Sequence, residues 1–178
     1  MVASALVQFE MTIISANSKF DLAEAGLVEY TPLEAEGKRL FNSNTGGDCF
    51  HCHSTANVQI ADNSFHNNGL DTDSDLEPGL AAVTGRDLDY GKFKTPSLRN
   101  LVFTAPYMHD GRFQTLEEVI DFYSTGVKHN RTIDPLMEFS QQGGVNLDDD
   151  QKEALIAFLL TMTDSSLLDN QSLSNPFE

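Results

Sequence analysis

Apolar residues recur at helical spacing in four stretches of the chain, and each stretch predicts an amphipathic helix. The first stretch spans Ala3–Ser15, the second begins at Thr31, and the third runs from Thr115 to Tyr123. The fourth begins at Leu147 and presents an apolar face made of Ala154, Leu155, Phe158, Leu159 and Met162. The chain is therefore expected to pack helix against helix.

Two of these helix starts carry a capping box, in which a threonine and a glutamate three residues later satisfy free amides of the first turn. The pairs are Thr31 with Glu34 and Thr115 with Glu118. The aspartates at 148–150 favour a helix N-terminus because their charge complements the helix dipole.

The other segments lack a regular period. Asn17–Asp21 is predicted to be a turn, and Ser54–Tyr90, rich in Asp, Asn and Gly, predicts a long irregular region. Ser165–Glu178 is expected to lie along the surface. Since strand signals are few, we expect a mostly α fold of one domain, with long irregular loops and a docking extension.

The chain is strongly acidic, with 27 acidic and 11 basic residues and a formal net charge of −16. Phosphate binding needs a basic surface, so nucleic acid is excluded as a natural partner. An acidic surface favours a basic electron-carrier protein, although the same charge serves solubility equally well. No run of 18 apolar residues predicts a membrane span, and no signal peptide is visible.

The only two cysteines of the 178 residues, Cys49 and Cys52, stand three positions apart and are followed directly by His53. This spacing is typical of covalent c-type haem attachment. Both thiols then bind the porphyrin, and the imidazole of His53 reaches the iron from the same side. Such attachment takes place outside the cytoplasm, so a periplasmic or otherwise extracytoplasmic location is expected.

Three alternatives compete with haem at these residues. A structural zinc site needs four ligands in paired clusters, and the sequence has no second cysteine pair. A redox dithiol normally accompanies a βαβ pattern, of which the sequence gives no sign. The third alternative is an ordinary core that matches the spacing by chance.

The motifs of the chain resemble those of the bacterial di-haem cytochrome c peroxidases and their MauG-type relatives. They comprise Cys49–His53, Phe65–Asn67, Phe93–Asn100, Thr104–Gly111, Thr115–Tyr123 and the final helix with its Ser174–Phe177 end. The resemblance implies a cytochrome c-like C-terminal haem domain over residues 22–178 and a connector helix over 1–21. The preceding haem domain of that family has no counterpart here, since the chain holds one attachment motif and no Trp.

The resemblance also implies the axial ligands of the iron. His53 is expected as the proximal ligand. Tyr123 occupies the position that holds Met in the peroxidases and Tyr in MauG-type proteins, and its helical spacing places it on the inward face. A core tyrosine satisfied by a hydrogen bond is the alternative for Tyr123, and Met108 is a weaker candidate ligand.

Further residues are expected around the haem. His66 and His109 stand in matching motifs and should bond haem propionates or nearby backbone. Lys94 and Arg99 are the cations expected at the propionates, with a surface salt bridge as the alternative.

Members of the resembled family also hold a calcium ion through backbone carbonyls, and the matching carbonyls belong to Thr104 and Pro106. Oxygen ligands of this kind suit calcium.

The leading functional hypothesis is an electron-transfer haem domain of a peroxidase-family oxidoreductase. It would pass electrons from a basic donor to a haem that reacts with hydrogen peroxide, carried by an N-terminal domain or a second chain. The alternative is a stand-alone monohaem electron-transfer subunit of a larger assembly. A third hypothesis, oxidative modification of a partner protein as in MauG, rests on Tyr123 alone.

Overall fold

A computed structural model describes residues 2–174 and is mostly helical, which confirms the predicted fold class. The helices are α1 (Val2–Glu10), α2 (Lys19–Glu24), α3 (Pro32–Phe41), α4 (Ala81–Thr84), α5 (Leu116–Asp121) and α6 (Asp149–Leu160). A small antiparallel sheet joins β1 (Phe65–His66) to β2 (Phe93–Lys94), with Phe65 opposite Lys94.

Helices α3 and α6 form the centre of the fold. A Cβ atom added to Gly37 of α3 would overlap the carbonyl oxygen of Ala154 in α6, so the two backbones approach as closely as a glycine allows. Phe158 of α6 is fully buried and makes edge-to-face contacts with Phe20, Tyr30 and Phe41, at ring-centroid distances of 6.1, 6.0 and 5.3 Å. The apolar face predicted for α6 is buried throughout.

The predicted helix starts are confirmed. Thr31 and Thr115 each accept a hydrogen bond from the amide three residues later, and Glu34 and Glu118 complete both capping boxes. Asp148 caps α6 in the same way, with Gln151 as its partner. These starts depend on neighbours in sequence alone, which is why periodicity and capping residues located them.

Two predictions near the N-terminus are wrong. Helix α1 ends at Glu10 instead of Ser15, because the chain tightens into i→i−3 hydrogen bonds at Thr12 and Ile13. The turn predicted at Asn17–Asp21 is the start of α2, capped by Ser18 with its side chain bonded to Asp21. This capping box was not predicted because its last residue is an aspartate, Asp21, whereas the usual motif has glutamate or glutamine at that position.

The segment before α2 is tied to the end of α6. The carboxylate of Asp164, 1% exposed, accepts hydrogen bonds from the amides of Ala16 and Asn17 at 3.1 and 3.0 Å. Asn100 bridges the same region, because its side chain accepts from the Asp164 amide at 2.7 Å and donates to Ser15 at 3.0 Å. The boundary expected between residues 21 and 22 falls inside α2, whose Phe20 is part of the core.

Residues 54–90 are largely irregular, as predicted, and contain α4 and a 3-10 turn at Asp87–Asp89. A buried amide holds this region against residues 127–134. The Asn67 side chain donates to Asn130 and Thr132, both at 2.9 Å, and accepts from the Gly69 amide. Such satisfied polar contacts replace secondary structure in a loop that would otherwise bury free polar groups.

After α6 the chain forms exposed 3-10 turns at Ser165–Leu167 and Gln171–Leu173. The family-like end at Ser174–Phe177 lies outside the described residues except for Ser174. Within residues 2–174, no helix has the length and apolar character needed to cross a membrane.

Substitution of Gly37 by Ala is expected to destabilise the fold, because the added methyl group has no room beside Ala154. Overpacking of this kind costs about 1–3 kcal/mol, which urea unfolding of the haem-loaded chain will measure. The matched control is Glu36→Ala at the neighbouring exposed position, expected within about 0.5 kcal/mol of wild type. A gain in stability for Gly37→Ala, as at an ordinary helical glycine, would contradict the close α3–α6 contact.

Candidate functional site

A cavity of about 460 Å³ opens between the segment that follows α3, the segment that follows β2, and the end of α5. Its wall includes all but one of the residues singled out from the sequence, namely Cys49, Cys52, His53, His66, Lys94, Thr104, Pro106, Met108, His109 and Tyr123. Residues as far apart as 49 and 123 therefore converge on one space. The exception, Arg99, lies outside the wall.

A short 3-10 turn at Cys49–His51 presents both cysteines and His53 to the cavity. The turn begins after Asp48, which adopts a left-handed conformation, and it continues to His53, whose amide donates to the Cys49 carbonyl at 2.9 Å. Gly47 makes room for the first thiol, since a Cβ atom there would lie 3.0 Å from the Cys49 Sγ.

Burial raises the pKa of each cysteine thiol to about 12, with the charge of Asp48 adding to the effect at Cys49 and that of Asp62 at Cys52. Redox-active dithiols instead have a lowered pKa that supplies a thiolate near neutral pH. The environment of Cys49 and Cys52 therefore argues against the redox dithiol. The two thiols are free of a disulfide bond.

His53 is oriented by the backbone. Its Nδ1 lies 3.1 Å from the carbonyl oxygen of Ile60, a fully buried residue. Burial lowers the pKa of His53, against the opposing influence of that hydrogen bond, and so favours the neutral imidazole. An Nδ1–H bound to a carbonyl leaves Nε2 as the nitrogen for a metal, which is the usual arrangement of a ligating histidine.

Tyr123 is placed by a local change of helix type. α5 ends at Asp121, and Phe122–Gly126 form a π-helical turn in place of the α-helix predicted up to Gly126. The carbonyls of Tyr123 and Ser124 accept hydrogen bonds from the amides of Val145 and Asn146, at 3.1 and 2.8 Å. Segments of π-helix occur frequently at functional sites.

A neighbouring glycine permits this contact. Gly144 has φ +139°, and a Cβ atom there would overlap the carbonyl oxygens of Tyr123 and Ser124. The segment 144–146 therefore lies directly against the π turn and fixes the position of Tyr123.

The phenol of Tyr123 has one polar partner in the cavity wall. The Asn68 side chain donates to the Tyr123 hydroxyl at 3.0 Å and lies 3.7 Å from the sulfur of Met108. Burial raises the pKa of Tyr123 to about 12, although the Asn68 hydrogen bond lowers it. Asn68 was not singled out from the sequence, where only its place beside the Phe65–Asn67 motif hinted at a role.

His66 is held between two carboxylates. Its Nδ1 lies 2.6 Å from Asp134 and its Nε2 lies 2.7 Å from Asp62. Both nitrogens of His66 thus lie within hydrogen-bond distance of carboxylates, whereas the sequence predicted a haem propionate or nearby backbone as its partner. Asp134, distant in sequence by 68 positions, carried no local signal.

These contacts shift the pKa values of His66 and Asp62. Burial alone would lower the pKa of His66, but the hydrogen bonds with Asp134 and Asp62 outweigh it and raise that pKa. Burial would likewise raise the pKa of Asp62, but hydrogen bonds from the Ser64 amide and from His66 hold it at about 2. The two carboxylates therefore favour the protonated form of His66, which lies in the cavity wall.

The other residues expected at the propionates, His109, Lys94 and Arg99, also have partners of their own. The His109 ring stacks on Phe93 with ring centroids 3.6 Å apart. Lys94 donates to the Asn63 side chain at 2.8 Å. Arg99 forms a two-pronged ion pair with Asp21 at 2.7 and 3.0 Å, as in the salt-bridge alternative.

The residues of the cavity fit a covalently bound haem. Two thiols and one imidazole nitrogen share a wall that is otherwise mostly apolar, which suits two thioether bonds and a proximal ligand. The volume lies within the range of about 300–1,000 Å³ usual for cofactor sites. Within residues 2–174, no group of three or more His, Cys, Asp or Glu side chains is arranged to hold a metal ion.

The raised pKa of His66 predicts how stability depends on pH. A group whose pKa is raised by folding stabilises the fold fully below its unfolded pKa, about 6.5 for histidine, and loses this contribution as pH rises through the folded pKa. Urea unfolding from pH 6 to 9 should show a decline in the free energy of unfolding that His66→Gln abolishes. The exposed His129→Gln should follow wild type, and an unchanged decline in His66→Gln would refute the assignment.

Comparison with known proteins places the chain among haem proteins. A family model described as Cytochrome c matches residues 34–163. The methylamine utilization protein MauG of Methylorubrum extorquens is 35% identical over 162 residues, which cover 90% of this chain and 43% of MauG. The cytochrome-c peroxidase IdrP2 of a Pseudomonas species is 30% identical over 196 residues, which cover 94% of this chain and 50% of the peroxidase.

A solved structure shows the same similarity. The crystal structure of a MauG-like protein associated with microbial copper homeostasis superposes with a TM-score of 0.80 at 34% identity, over 92% of this chain and 53% of that one. The chain thus spans about half the length of the curated relatives it matches. Cytochromes c carry c-type haem bound covalently, as the Cys49–His53 motif predicts. The chain therefore belongs to the cytochrome c family, and its resemblance to the di-haem cytochrome c peroxidases and MauG-type proteins is confirmed.

Proposed function

We propose that this chain is the electron-transfer haem domain of a di-haem peroxidase or MauG-like oxidoreductase. The observation that carries the proposal is that Tyr123, His53 and the two cysteines line one cavity. A haem with both axial positions filled by protein suits transfer of electrons better than binding of peroxide, because no iron position is left open.

Each part of the wall has a task in holding the haem. Cys49 and Cys52 would attach it through thioether bonds, and His53 would present Nε2 to the iron while Ile60 holds Nδ1. When bound, the haem supplies one-electron redox chemistry. Lys94, beside the cavity, is the cation that remains near for a propionate, since Arg99 is paired with Asp21.

Tyr123 would complete the iron coordination as a phenolate. The phenol must lose its proton for this, and an iron cation offsets the burial that raises its pKa. The amide of Asn68 already donates to the oxygen that would carry the negative charge. A hard anionic ligand stabilises ferric iron and lowers the reduction potential relative to methionine.

Peroxide chemistry is assigned to a second haem, carried by a preceding domain or another chain. The single attachment motif and the half-length match to the relatives support this division. Residues 1–21 would form the connector, and α1 has exposed apolar side chains such as Leu6, 56% exposed, available for that contact. The backbone carbonyls of Thr104 and Pro106, both exposed residues, would provide this domain's share of a calcium site.

The electron donor is assigned as a small basic protein, because the net charge of −16 attracts and steers a partner of opposite sign. An extracytoplasmic, periplasmic location accompanies covalent haem attachment. The stand-alone electron-transfer cytochrome remains the second candidate, favoured by the single attachment motif.

The Tyr123→Phe substitution tests the axial ligand. The ferric haem of the wild-type chain should be low-spin by EPR and optical spectroscopy, and the substitution should make it high-spin because one iron position opens. Tyr107→Phe is the matched control, since Tyr107 also lines the cavity but donates to the Leu101 carbonyl at 2.9 Å. A high-spin iron indifferent to Tyr123→Phe would mean an open site and would overturn the relay assignment.

A second experiment separates the relay from the stand-alone cytochrome. The dithionite-reduced chain should exchange electrons with basic cytochrome c at a rate that falls by about tenfold or more between low and high salt. An acidic cytochrome of similar reduction potential should react slowly at both low and high salt. Hydrogen peroxide should oxidise the reduced cytochrome c only when the second haem-bearing half of a related enzyme is supplied. If no such turnover is observed, the relay function is refuted and the stand-alone electron-transfer cytochrome is supported.

A further inference from the structure

Three aromatic rings lead from the cavity wall toward the surface on the side of α2 and α3. Phe41 lines the cavity and is fully buried. Its ring meets Phe158 edge-to-face at a centroid distance of 5.3 Å, and Phe158 meets Tyr30 in the same manner at 6.0 Å. The ring of Tyr30 is therefore separated from the cavity by two rings in continuous contact.

Tyr30 is the last ring of this series, and a proton acceptor lies beside its hydroxyl group. Its hydroxyl donates to the carboxylate of Glu24 at 3.0 Å, and Glu24 is exposed and also pairs with Lys38. The ammonium group of Lys38 lies 5.1 Å from the centre of the Tyr30 ring. Burial and then the hydrogen bond to Glu24 raise the pKa of Tyr30 well above its ordinary value, so the phenol keeps its proton in the resting protein.

The other tyrosines lack this combination. All four lie within residues 2–174. Tyr107 donates to a backbone carbonyl, which takes up no proton near neutral pH. Tyr123, as the proposed phenolate ligand, has no proton to lose. Tyr90 packs against Arg131, and within residues 2–174 its hydroxyl has no carboxylate as a hydrogen-bond partner. Since the sequence has no Trp, Tyr30 is the side chain best equipped to lose an electron and a proton together.

We propose that Tyr30 is a redox-active residue that returns an electron to the haem through Phe158 and Phe41 when the haem is oxidised beyond the ferric state, with Glu24 taking the proton. The inference rests on the proposed function, because peroxide chemistry at a linked haem supplies the oxidant in the working protein.

The oxidised haem gains one electron and Tyr30 loses one. The O–H bond of Tyr30 breaks, and the proton forms a new O–H bond with the Glu24 carboxylate. The products are a neutral tyrosyl radical and a neutral Glu24. A one-electron donor at the surface then reduces the radical, and Glu24 gives the proton back.

The electron that reduces the haem would then come from Tyr30, which lies on the opposite side of Phe158 from the cavity. Tunnelling through protein is fastest along packed contacts, which the three rings provide. An electron donor that never touches the haem could then be oxidised at Tyr30, and the thioethers and Met108 beside the haem would be spared oxidation.

The test is laser flash photolysis of the haem-loaded chain, with photogenerated ruthenium(III) tris-bipyridine as the oxidant. The haem absorbance reports how long the oxidised haem survives before it returns to ferric. This lifetime should lengthen several-fold in Tyr30→Phe and in Glu24→Gln, and deuterium oxide should lengthen it in wild type but not in Tyr30→Phe. Tyr30→Phe keeps the ring that packs on Phe158, so the core is retained.

Tyr90→Phe is the matched control and should behave as wild type. Freeze-quenched samples should show a tyrosyl EPR signal that disappears in Tyr30→Phe. Equal haem lifetimes in wild type and Tyr30→Phe, or a radical signal lost only in Tyr107→Phe, would overturn the proposal. A wild-type lifetime in Glu24→Gln would overturn the role of Glu24 as proton acceptor.

The photochemical oxidant makes the two proposals separable. Peroxide is absent from the flash experiment, so a chain that takes no part in peroxide turnover would refute the proposed function and leave the Tyr30 measurement intact. A chain that supports turnover yet shows no effect of Tyr30→Phe on haem lifetime would refute only the inference about Tyr30.

Discussion

The close contact between Gly37 and Ala154 is the constraint on which the rest of the structure depends. It brings α3 and α6 together closely enough for Phe158 to fill the space among Phe20, Tyr30 and Phe41. Because α3 ends only eight residues before Cys49, fixing α3 also fixes the start of the haem segment. The position of α3 in the core thus determines where the thiols of Cys49 and Cys52 enter the cavity.

The opposite part of the wall is built by backbone contacts instead of apolar packing. The π turn at Phe122–Gly126 exposes carbonyls that an α-helix would use internally, and the amides of Val145 and Asn146 satisfy them. Gly144 allows the two segments to meet. Tyr123 is therefore positioned by backbone hydrogen bonds that hydrophobic periodicity cannot predict. A bulkier residue at position 144 would displace it.

Features set by neighbouring residues were predictable from the sequence, and features set by distant contacts were not. The threonine caps of α3 and α5 and the spacing of Cys49, Cys52 and His53 depend on residues within a few positions. The carboxylate that engages His66 comes from Asp134, and the partner of Arg99 is Asp21, 78 positions away. Which cations remain free for a haem is thus decided by the fold. Helix α2 is the local feature that was missed, because Asp21 completes its capping box in an unusual form.

The hydrogen bonds of Asp164 and Asn100 have a mechanical consequence. The same two side chains hold the amides of Ala16 and Asn17, the hydroxyl of Ser15 and the end of α6, and Asn100 is followed directly by Leu101 of the cavity wall. These hydrogen bonds connect the segment before α2 with the cavity wall, so a displacement of Ser15 to Asn17 would be transmitted to Leu101 through Asp164 and Asn100.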